Sequence, residues 1–419
     1  MDLPGEILML VFEWACLPIY LVHQSTALAL SQVCTRWRQL SLSMPALWTA
    51  FAVKLPQPIP DTVIRRVLLL HLERSHPIPL SLDVDLAEPE ASLPILTLLL
   101  EHATRWVDAK LPLTRHTLPL LCDARFKLLR TLHLRLESTI GYHDDLTTLD
   151  TPQLNELTLA CALPDKFPIP TAHLTSLHLG AAATMDLILF MERYTWPVLQ
   201  SLSLNPFYQF KIAARPLRPF PHLRKLSLAM RDKYSRNPII DVLNILTLPA
   251  LAELELWGLR DIPLPPQAFA SFITRSGCSL SSLRVTFREN IPHFVSSLRV
   301  LGPALQHLAI FGLGTEAMGS TTSFLEALIV SAGAENETLL PHLTSLEIQA
   351  PSFIPTVLDM VASRVGPNKS ANCVHFERLV SRNAAPAEYT RRISALKEQG
   401  VGVLWPPRYR PLKSQIFIQ

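Results

Sequence analysis

Residues 129–134 read LRTLHL, and the same spacing of leucines returns eight more times along the chain. The later copies are LNELTL, LTSLHL, LQSLSL, LRKLSL, LAELEL, LSSLRV, LQHLAI and LTSLEI, beginning at Leu154, Leu174, Leu199, Leu223, Leu251, Leu280, Leu305 and Leu343. Each copy ends by alternating aliphatic and variable residues, which predicts a short strand with one buried face. Stacked copies predict a parallel sheet lined by leucine, in which each unit covers the apolar face of its neighbour.

Proline marks the start of most copies. It stands two residues before the first leucine in six of the nine, at Pro152, Pro197, Pro221, Pro249, Pro303 and Pro341. Proline ends a preceding helix or turn and is tolerated where a strand begins. Leucine is the most frequent residue, and 36 prolines stand against 13 glycines in 419 residues. This composition predicts a packed body and argues against disorder.

The spacing resembles that of leucine-rich repeats. Most intervals between copies fall in the range of about 20–29 residues that is typical of that family. The Asn or Cys that usually follows the strand is absent, and its place is taken by Glu137, Ala162, Phe207, Leu259 and Leu313. The resemblance implies an α/β fold with an irregular leucine-rich-repeat solenoid and a parallel sheet over residues 128–362. A generic leucine-rich α/β domain with chance spacing is the alternative.

The first 50 residues carry a different pattern, made of two blocks. LPGEILMLVF at 3–12 and VCTRWRQL at 33–40 are followed by the pair Leu47-Trp48. Pro4 suits a first helical turn, and apolar residues then recur at helical spacing. Helices this short cannot bury a full core within about 50 residues. Part of their apolar surface is therefore expected to be exposed and to bind a partner.

These blocks resemble an F-box over residues 1–50, and the chain as a whole resembles the expanded F-box families of mushroom-forming fungi. The resemblance implies a small helical domain that docks on a Skp-type adaptor and, through it, on a cullin scaffold. Some motif residues would contact the adaptor and others would hold the helices together: Leu3, Pro4, Ile7, Leu8, Phe12, Val33, Cys34 and Trp37. An ordinary helical cap on a repeat protein is the alternative.

The segment between these regions, residues 51–127, is predicted to contain a linker and atypical early repeats. PLSLDVDL at 79–86 and RWVDAKL at 105–111 each predict a strand, with a helix at 92–104 between them. The longest interval between copies, from 305 to 343, predicts an inserted loop with a helix-like stretch over Phe324–Val330, a common location of specificity.

The last segment, residues 363–419, is predicted to be a C-terminal cap with a basic tail. Ala387–Gln399 predicts a helix, and Val401–Leu404 a final strand. The basic residues of the tail are Arg408, Arg410 and Lys413. A solvated charged face is expected there, and contact with an acidic partner or nucleic acid is the alternative. A net charge of +3 makes nucleic-acid binding the less favoured of the two.

The residues between the repeat leucines are predicted to point away from the core. In the later copies they form an aromatic and charged group: Glu253, Glu255, Trp257, Arg284 and Phe311. Tryptophan and arginine are enriched among interface hot spots, so this group is predicted to bind a protein substrate. The alternative is that the two aromatic residues pack under a neighbouring loop.

The sequence shows no sign of catalysis or of a resident cofactor. Patterns such as H-E-x-x-H, G-x-S-x-G and the phosphate loop are absent, and several of the 14 histidines recur at one repeat position. The six cysteines are scattered, which predicts free thiols and a cytoplasmic or nuclear location. The apolar stretch 7–22 is interrupted by Glu13 and Pro18, so no membrane anchor is expected.

The sequence therefore predicts a non-enzymatic substrate-recognition subunit of a Skp–cullin–F-box ubiquitin ligase. In this interpretation the F-box binds the adaptor and the repeats bind an unknown protein target. A leucine-rich-repeat interaction scaffold without a ubiquitin-ligase role is the alternative.

Overall fold

The computed structural model divides the chain into two compact units. The first is Met1–Met185 with Arg193–Leu199, and the second is Asp186–Glu192 with Gln200–Gln419. Within them the structure describes residues 3–16, 20–21, 25–55, 60–86, 89–114, 116–136, 149–160, 169–180, 187–205, 217–229, 238–259, 266–287, 292–312, 318–330, 339–349, 353–365, 374–381 and 387–404.

The first unit begins with helices and continues as a parallel sheet. Its helices are α1 (Gly5–Cys16), α2 (Thr26–Val33), α3 (Thr35–Leu42), a short 3-10 helix (Pro45–Trp48), α4 (Asp61–Arg74), α5 (Pro89–Leu100) and α6 (Thr117–Asp123). Its strands are β1 (Tyr20–Leu21), β2 (Ala50–Leu55), β3 (Leu80–Leu86), β4 (Trp106–Leu113), β5 (Thr131–Leu136), β6 (Glu156–Leu159) and β7 (Ser176–Leu179). Each strand pairs in parallel with the next in chain order.

The second unit repeats this plan without an N-terminal helical module. Its strands are β8 (Ser201–Leu204), β9 (Lys225–Ala229), β10 (Glu253–Leu259), β11 (Ser282–Phe287), β12 (His307–Phe311), β13 (Ser345–Ile348), β14 (Arg378–Ser381) and β15 (Gly402–Leu404). Its helices are α7 (Leu187–Arg193), α8 (Pro238–Ile245), α9 (Pro266–Ser276), α10 (Pro292–Leu301), α11 (Met318–Ala327), α12 (Ile354–Val365) and α13 (Thr390–Glu398). The last residue of α7, Arg193, is assigned to the first unit. Successive strands again pair in parallel.

All nine copies of the repeated pattern form strands, β5 to β13, as the sequence predicts. The first leucine of every copy, from Leu129 to Leu343, is only 0% to 2% exposed, and the strand leucines behind it are buried as well. Strands in chain order with a buried aliphatic column form the solenoid-like α/β fold that the spacing indicates.

Three aromatic residues take the position of the first leucine outside the nine copies. Trp48 and Trp106 stand three residues before the buried strand residues Phe51 and Ala109, which is the offset of the first leucine in the other copies. Phe376 holds the same place before β14. All three are 0% exposed. Bulky aromatic side chains therefore fill the leucine position in the early copies and in a late one.

The structure differs from the sequence prediction in several elements. Strands β1, β2 and β14 were not predicted, and β2 to β4 bring residues 50–113 into the parallel sheet of the first unit. The helix expected over Phe324–Val330 begins earlier, at Met318, through a run of small polar residues that hydrophobic periodicity does not identify. The domain boundaries at 50, 127 and 362 stay predictions. The tail and the sites of Glu137, Ala162, Phe207 and Leu313 lie outside the described residues.

Three arginines bridge consecutive repeats. Arg105 donates to the carbonyl oxygen of Leu72 in the last turn of α4, Arg275 to that of Leu246 just after α8, and Arg364 to that of Leu328 just after α11. The last turn of a helix leaves carbonyl oxygens without helical partners. Each guanidinium therefore satisfies acceptors that the preceding helix leaves open, and it ties neighbouring repeats together.

A buried histidine lies where the N-terminal helices meet the first strands. The ring of His71 contacts those of Trp48 and Phe51, with centroids 5.1 Å and 5.3 Å away, and its Nδ1 lies 3.4 Å from the Trp48 carbonyl oxygen. The guanidinium of Arg74 lies over the Trp48 ring, 4.4 Å from its centroid. Burial lowers the pKa of His71 from 6.5 to about 4, and the Arg74 charge adds to this effect against the hydrogen bond to Trp48.

Acidification is expected to destabilise the first unit through His71. Between pH 6.5 and 4 the unfolded chain binds a proton at this site that the folded protein does not, because the folded pKa is about 4. The contribution of the neutral ring is complete above pH 6.5 and is lost as the pH falls through 4. The free energy of unfolding should fall by up to about 1.4 kcal/mol per pH unit from this site. Urea denaturation at pH 7 and pH 5 should show a shallower pH dependence for His71→Phe, whereas the exposed His173→Phe should match the wild type.

Candidate functional site

The N-terminal helices form a small core of their own. Its buried members, drawn from α1, α2 and the turn before β2, are Leu8, Phe12, Ala27, Met44, Leu47 and Trp48. Trp37 of α3 packs edge-on against Phe12, with ring centroids 5.0 Å apart. The indole of Trp48 also donates to the carbonyl oxygen of Ser41, 2.9 Å away. The core thus holds α1 against α3 and ends at Trp48, shortly before strand β2.

Helix α1 is apolar on a second face, which nothing in the described residues covers. Ile7, Leu10, Val11 and Trp14 are spaced i, i+3, i+4 and i+7, so they form one stripe along the helix. All four are exposed, and Trp14 is 77% exposed. We call these four residues, with Leu3 before the helix, the apolar stripe. Exposed apolar surface of this kind on a folded domain marks an interaction site.

The sequence VCTRW contains a break between two helices. Cys34 is extended, with φ −157° and ψ 172°, and its Sγ accepts from the Trp37 backbone N–H at 3.5 Å. Cys34 therefore ends α2 and caps α3. The turn leaves both Val33 and Cys34 exposed, while Trp37 is directed toward the core.

The eight predicted adaptor-binding residues fall into two groups. Leu3, Pro4, Ile7, Val33 and Cys34 are exposed and can contact a partner. The other three are less accessible: Leu8 and Phe12 are buried, and Trp37 is half-buried against Phe12. Their role in the structure is to hold the helices together, because the helical phase turns them toward the core.

Three members of the apolar stripe, Leu10, Val11 and Trp14, were not among the predicted residues. The signal was present in the sequence, since they follow Ile7 at helical spacing. Hydrophobic periodicity alone could not separate the buried face of α1 from the exposed face, because both faces are apolar.

The second candidate site lies on the outer face of the strands of the second unit and is centred on Glu255. Its Oε1 lies 2.9 Å from Lys225 Nζ and 3.3 Å from Arg284 Nη1. Its Oε2 accepts from Trp257 Nε1 at 3.4 Å. The strand register places Glu255 beside Arg284 on β11. Glu255 is well shielded and fully engaged, so it orients the other three side chains.

The charged row continues across β12 to Glu347. Arg284 Nη2 lies 3.6 Å from Glu347 Oε2, although β12 intervenes, because Ala309 between them is small. Glu253 is the most exposed carboxylate of the group and lies 4.0 Å from Lys225 Nζ. We call Lys225, Glu253, Glu255, Arg284 and Glu347 the charged row.

The two predicted aromatic residues of this site contact one another. The Trp257 and Phe311 rings are stacked, with centroids 6.0 Å apart and an interplanar angle of 3°. Phe311 is only 4% exposed, and Arg284 lies 5.9 Å from its ring centroid. The five predicted residues are therefore brought together, but Phe311 lies buried beside Trp257 and presents almost no surface itself. Lys225 and Glu347 are the members that the prediction did not include.

The described residues show no arrangement that would bind a metal ion, since no group of three or more His, Cys, Asp or Glu side chains is gathered. His133 and His178 lie on nearby strands of the first unit, and burial lowers the pKa of both. The charges of nearby Lys110 and Arg135 help to lower the pKa of His133 to about 4.

Among the helices described, none is long and apolar enough to cross a membrane.

Comparison with known families bears on the N-terminal module. Residues 1–54 match the family model of F-box-like domains. No curated protein sequence matches the chain. The matched residues contain α1 to α3, their common core and the apolar stripe. The N-terminal module is therefore an F-box-like domain.

Proposed function

We propose that this protein is the substrate-recognition subunit of a Skp–cullin–F-box ubiquitin ligase. F-box domains bind Skp-type adaptors, which in turn connect to a cullin scaffold. The observation that carries the proposal is that the F-box-like match over residues 1–54 contains a helix whose second apolar face is uncovered. A helix with such a face is suited to an apolar groove on a partner.

The target-binding role falls to the outer face of the repeats in the second unit. Trp257 and Arg284 are of the residue types that dominate interface energetics. Both are held in place by Glu255, so they lose little freedom on binding, which favours affinity. The partner we assign to this face is a protein, because the exposed groups alternate in charge around an aromatic surface.

In this proposal the chain performs no chemistry itself. Its contribution is to raise the local concentration of a target near the ligase and to orient it, as a scaffold does for any bimolecular reaction. Trp48 supports this role, because it belongs both to the F-box-like core and to the buried column of the repeats. The F-box-like domain therefore joins the sheet of the first unit through a packed contact. The proposal places the protein in the cytoplasm or nucleus.

Arg284→Glu is expected to separate the two binding functions. The change places a third carboxylate between Glu255 and Glu347 and removes the cation that holds them. Proximity labelling in cells, followed by ubiquitin profiling, should then lose the targets of the wild-type protein. Adaptor affinity should stay within about twofold, because the F-box-like domain belongs to the first unit and Arg284 to the second, and the two share no described partner. Arg299→Glu, at an exposed position of α10, is the matched control and should retain the targets.

The same experiment separates the ligase from a plain scaffold. A ligase subunit should co-purify with both the adaptor and a cullin, and its labelled targets should be ubiquitylated in a manner that depends on the N-terminal helices. A scaffold would bring down its partners without a cullin and without any change in their ubiquitylation. A well-folded full chain that fails to bind a Skp-type adaptor would overturn the proposal.

A further inference from the structure

Three successive residues of α3 each contact a different part of the F-box-like domain. Arg36 Nη2 donates to the carbonyl oxygen of Leu3, 2.6 Å away. Trp37 packs on the Phe12 ring of α1, and Arg38 Nε donates to the carbonyl oxygen of Ser31 in α2, 2.9 Å away. The segment 36–38 therefore fixes the start of α1, the middle of α1 and the end of α2.

The contact from Arg36 is the one that reaches the apolar stripe. Leu3 lies just before α1, where the chain has no helical hydrogen bonds of its own to order it. Its side chain is exposed, as is that of Ile7 in the first turn of the helix. The hydrogen bond to Arg36 spans 33 residues of sequence and anchors this short segment onto α3.

The chemistry of the contact suits a fixed orientation. A guanidinium is planar and always charged, and a hydrogen bond from it is stronger than one between neutral groups. Arg36 itself is exposed, so this bond competes with water and contributes modestly to folding. Its larger effect is to remove freedom from a segment that would otherwise have to be ordered on binding.

We propose that Arg36 is a positioning residue, which holds Leu3 in the conformation that the adaptor binds. The inference rests on the proposed function, since it concerns the same adaptor-facing surface. Arg36 acts through Leu3, by preorganising the N-terminal end of the apolar stripe, and does not itself need to contact the adaptor.

Arg36→Met is expected to weaken binding of the full chain to a purified Skp-type adaptor about tenfold. Arg36→Lys should recover part of the loss, because an ammonium can also donate to the Leu3 carbonyl oxygen but with less directional restraint. Gln39→Met, at an exposed position of the same helix, is the matched control and should bind like the wild type.

A double-mutant cycle with Leu3→Ala distinguishes positioning from direct contact. If Arg36 acts through Leu3, Arg36→Met should cause little further loss once the Leu3 side chain is gone. Additive losses would mean that Arg36 touches the adaptor itself, and they would overturn the inference.

Amide hydrogen exchange on the free protein tests the same inference without the adaptor. Exchange at the first turn of α1 should quicken in Arg36→Met, while the amides of α2 stay unchanged. Unaltered exchange in the first turn would contradict the positioning role. This measurement needs no partner, so it tests the contact between Arg36 and Leu3 whether or not the chain binds an adaptor. Failure of the wild-type chain to bind an adaptor would reject the proposed function.

Discussion

Replacing Trp14 with alanine is expected to weaken adaptor binding by at least about 30-fold, which corresponds to a hot-spot loss of about 2 kcal/mol. Trp14 is 77% exposed in the free protein and ends the apolar stripe of α1. Burying an indole against a partner removes a large apolar area from water, and tryptophan is enriched among residues that dominate interfaces. Isothermal titration of the full-length variant with a purified Skp-type adaptor measures the change.

The stability of the free protein should not fall in the same variant. The Trp14 side chain is mostly in water, so its removal leaves no cavity. Phe12→Ala, two residues away on the opposite face of α1, provides the matched contrast. Phe12 is fully buried, and its truncation should lower the free energy of unfolding by about 3–5 kcal/mol. Loss of adaptor binding in that variant would report unfolding of the domain and not a lost contact.

Ile7→Asp should reproduce the effect of Trp14→Ala from the other end of the stripe. A carboxylate in an apolar interface must be desolvated without a partner, which opposes binding strongly. Affinity within about twofold of the wild type for both variants would reject α1 as the adaptor-binding helix.

The contrast between Trp14 and Phe12 also shows what sequence reasoning could establish. The blocks at 3–12 and 33–40 were enough to identify the type of domain, because their order and composition are distinctive. They were not enough to separate core residues from surface residues, since both faces of α1 are apolar. Packing of α3 on Phe12 decides which face is inside, and that contact spans 25 residues of sequence.

The repeats show the same limit in another form. Nine strands followed from leucine spacing because the first leucine of each copy is buried. The strands β2 and β14 were missed, and β4 was predicted only as an atypical repeat, because Trp48, Phe376 and Trp106 replace the first leucine. A column that accepts any bulky apolar side chain selects for volume and burial, so a pattern restricted to leucine finds only part of it. Positions of the connecting helices depend on packing between repeats, which sequence periodicity does not encode.

The second large effect is expected at Arg364, whose replacement by methionine should destabilise the second unit by about 3–5 kcal/mol. Arg364 is 0% exposed, in the last turn of α12. Its Nη1 donates to Leu340 O at 2.8 Å, and its Nη2 to Leu328 O at 2.9 Å and Leu339 O at 2.8 Å. Methionine fills similar space but supplies no donor, so buried carbonyl oxygens would lose partners that water cannot replace.

The geometry around Leu340 makes it difficult for another side chain to replace Arg364 as the hydrogen-bond donor. Leu340 has a φ of +57°, which is unfavourable for a residue with a side chain, and its side chain packs close to Gly302. Arg364 holds the carbonyl oxygen of this strained residue. Arg364→Lys should therefore recover little, because a single ammonium cannot reach three acceptors in the directions of a guanidinium fork.

Hydrogen exchange at α11 and α12, with urea denaturation of the whole chain, measures the effect where it arises. Protection of both helices should fall in Arg364→Met, while the exposed Arg299→Met, at the end of α10, should leave it unchanged. A loss below about 1 kcal/mol would mean that the carbonyl oxygens find other donors, and that the arginine bridge is not what joins these repeats. Adaptor affinity should be unaffected, because the F-box-like domain belongs to the first unit and the arginine to the second. A fall in adaptor affinity would show instead that the repeats around Arg364 are energetically coupled to the N-terminal helices.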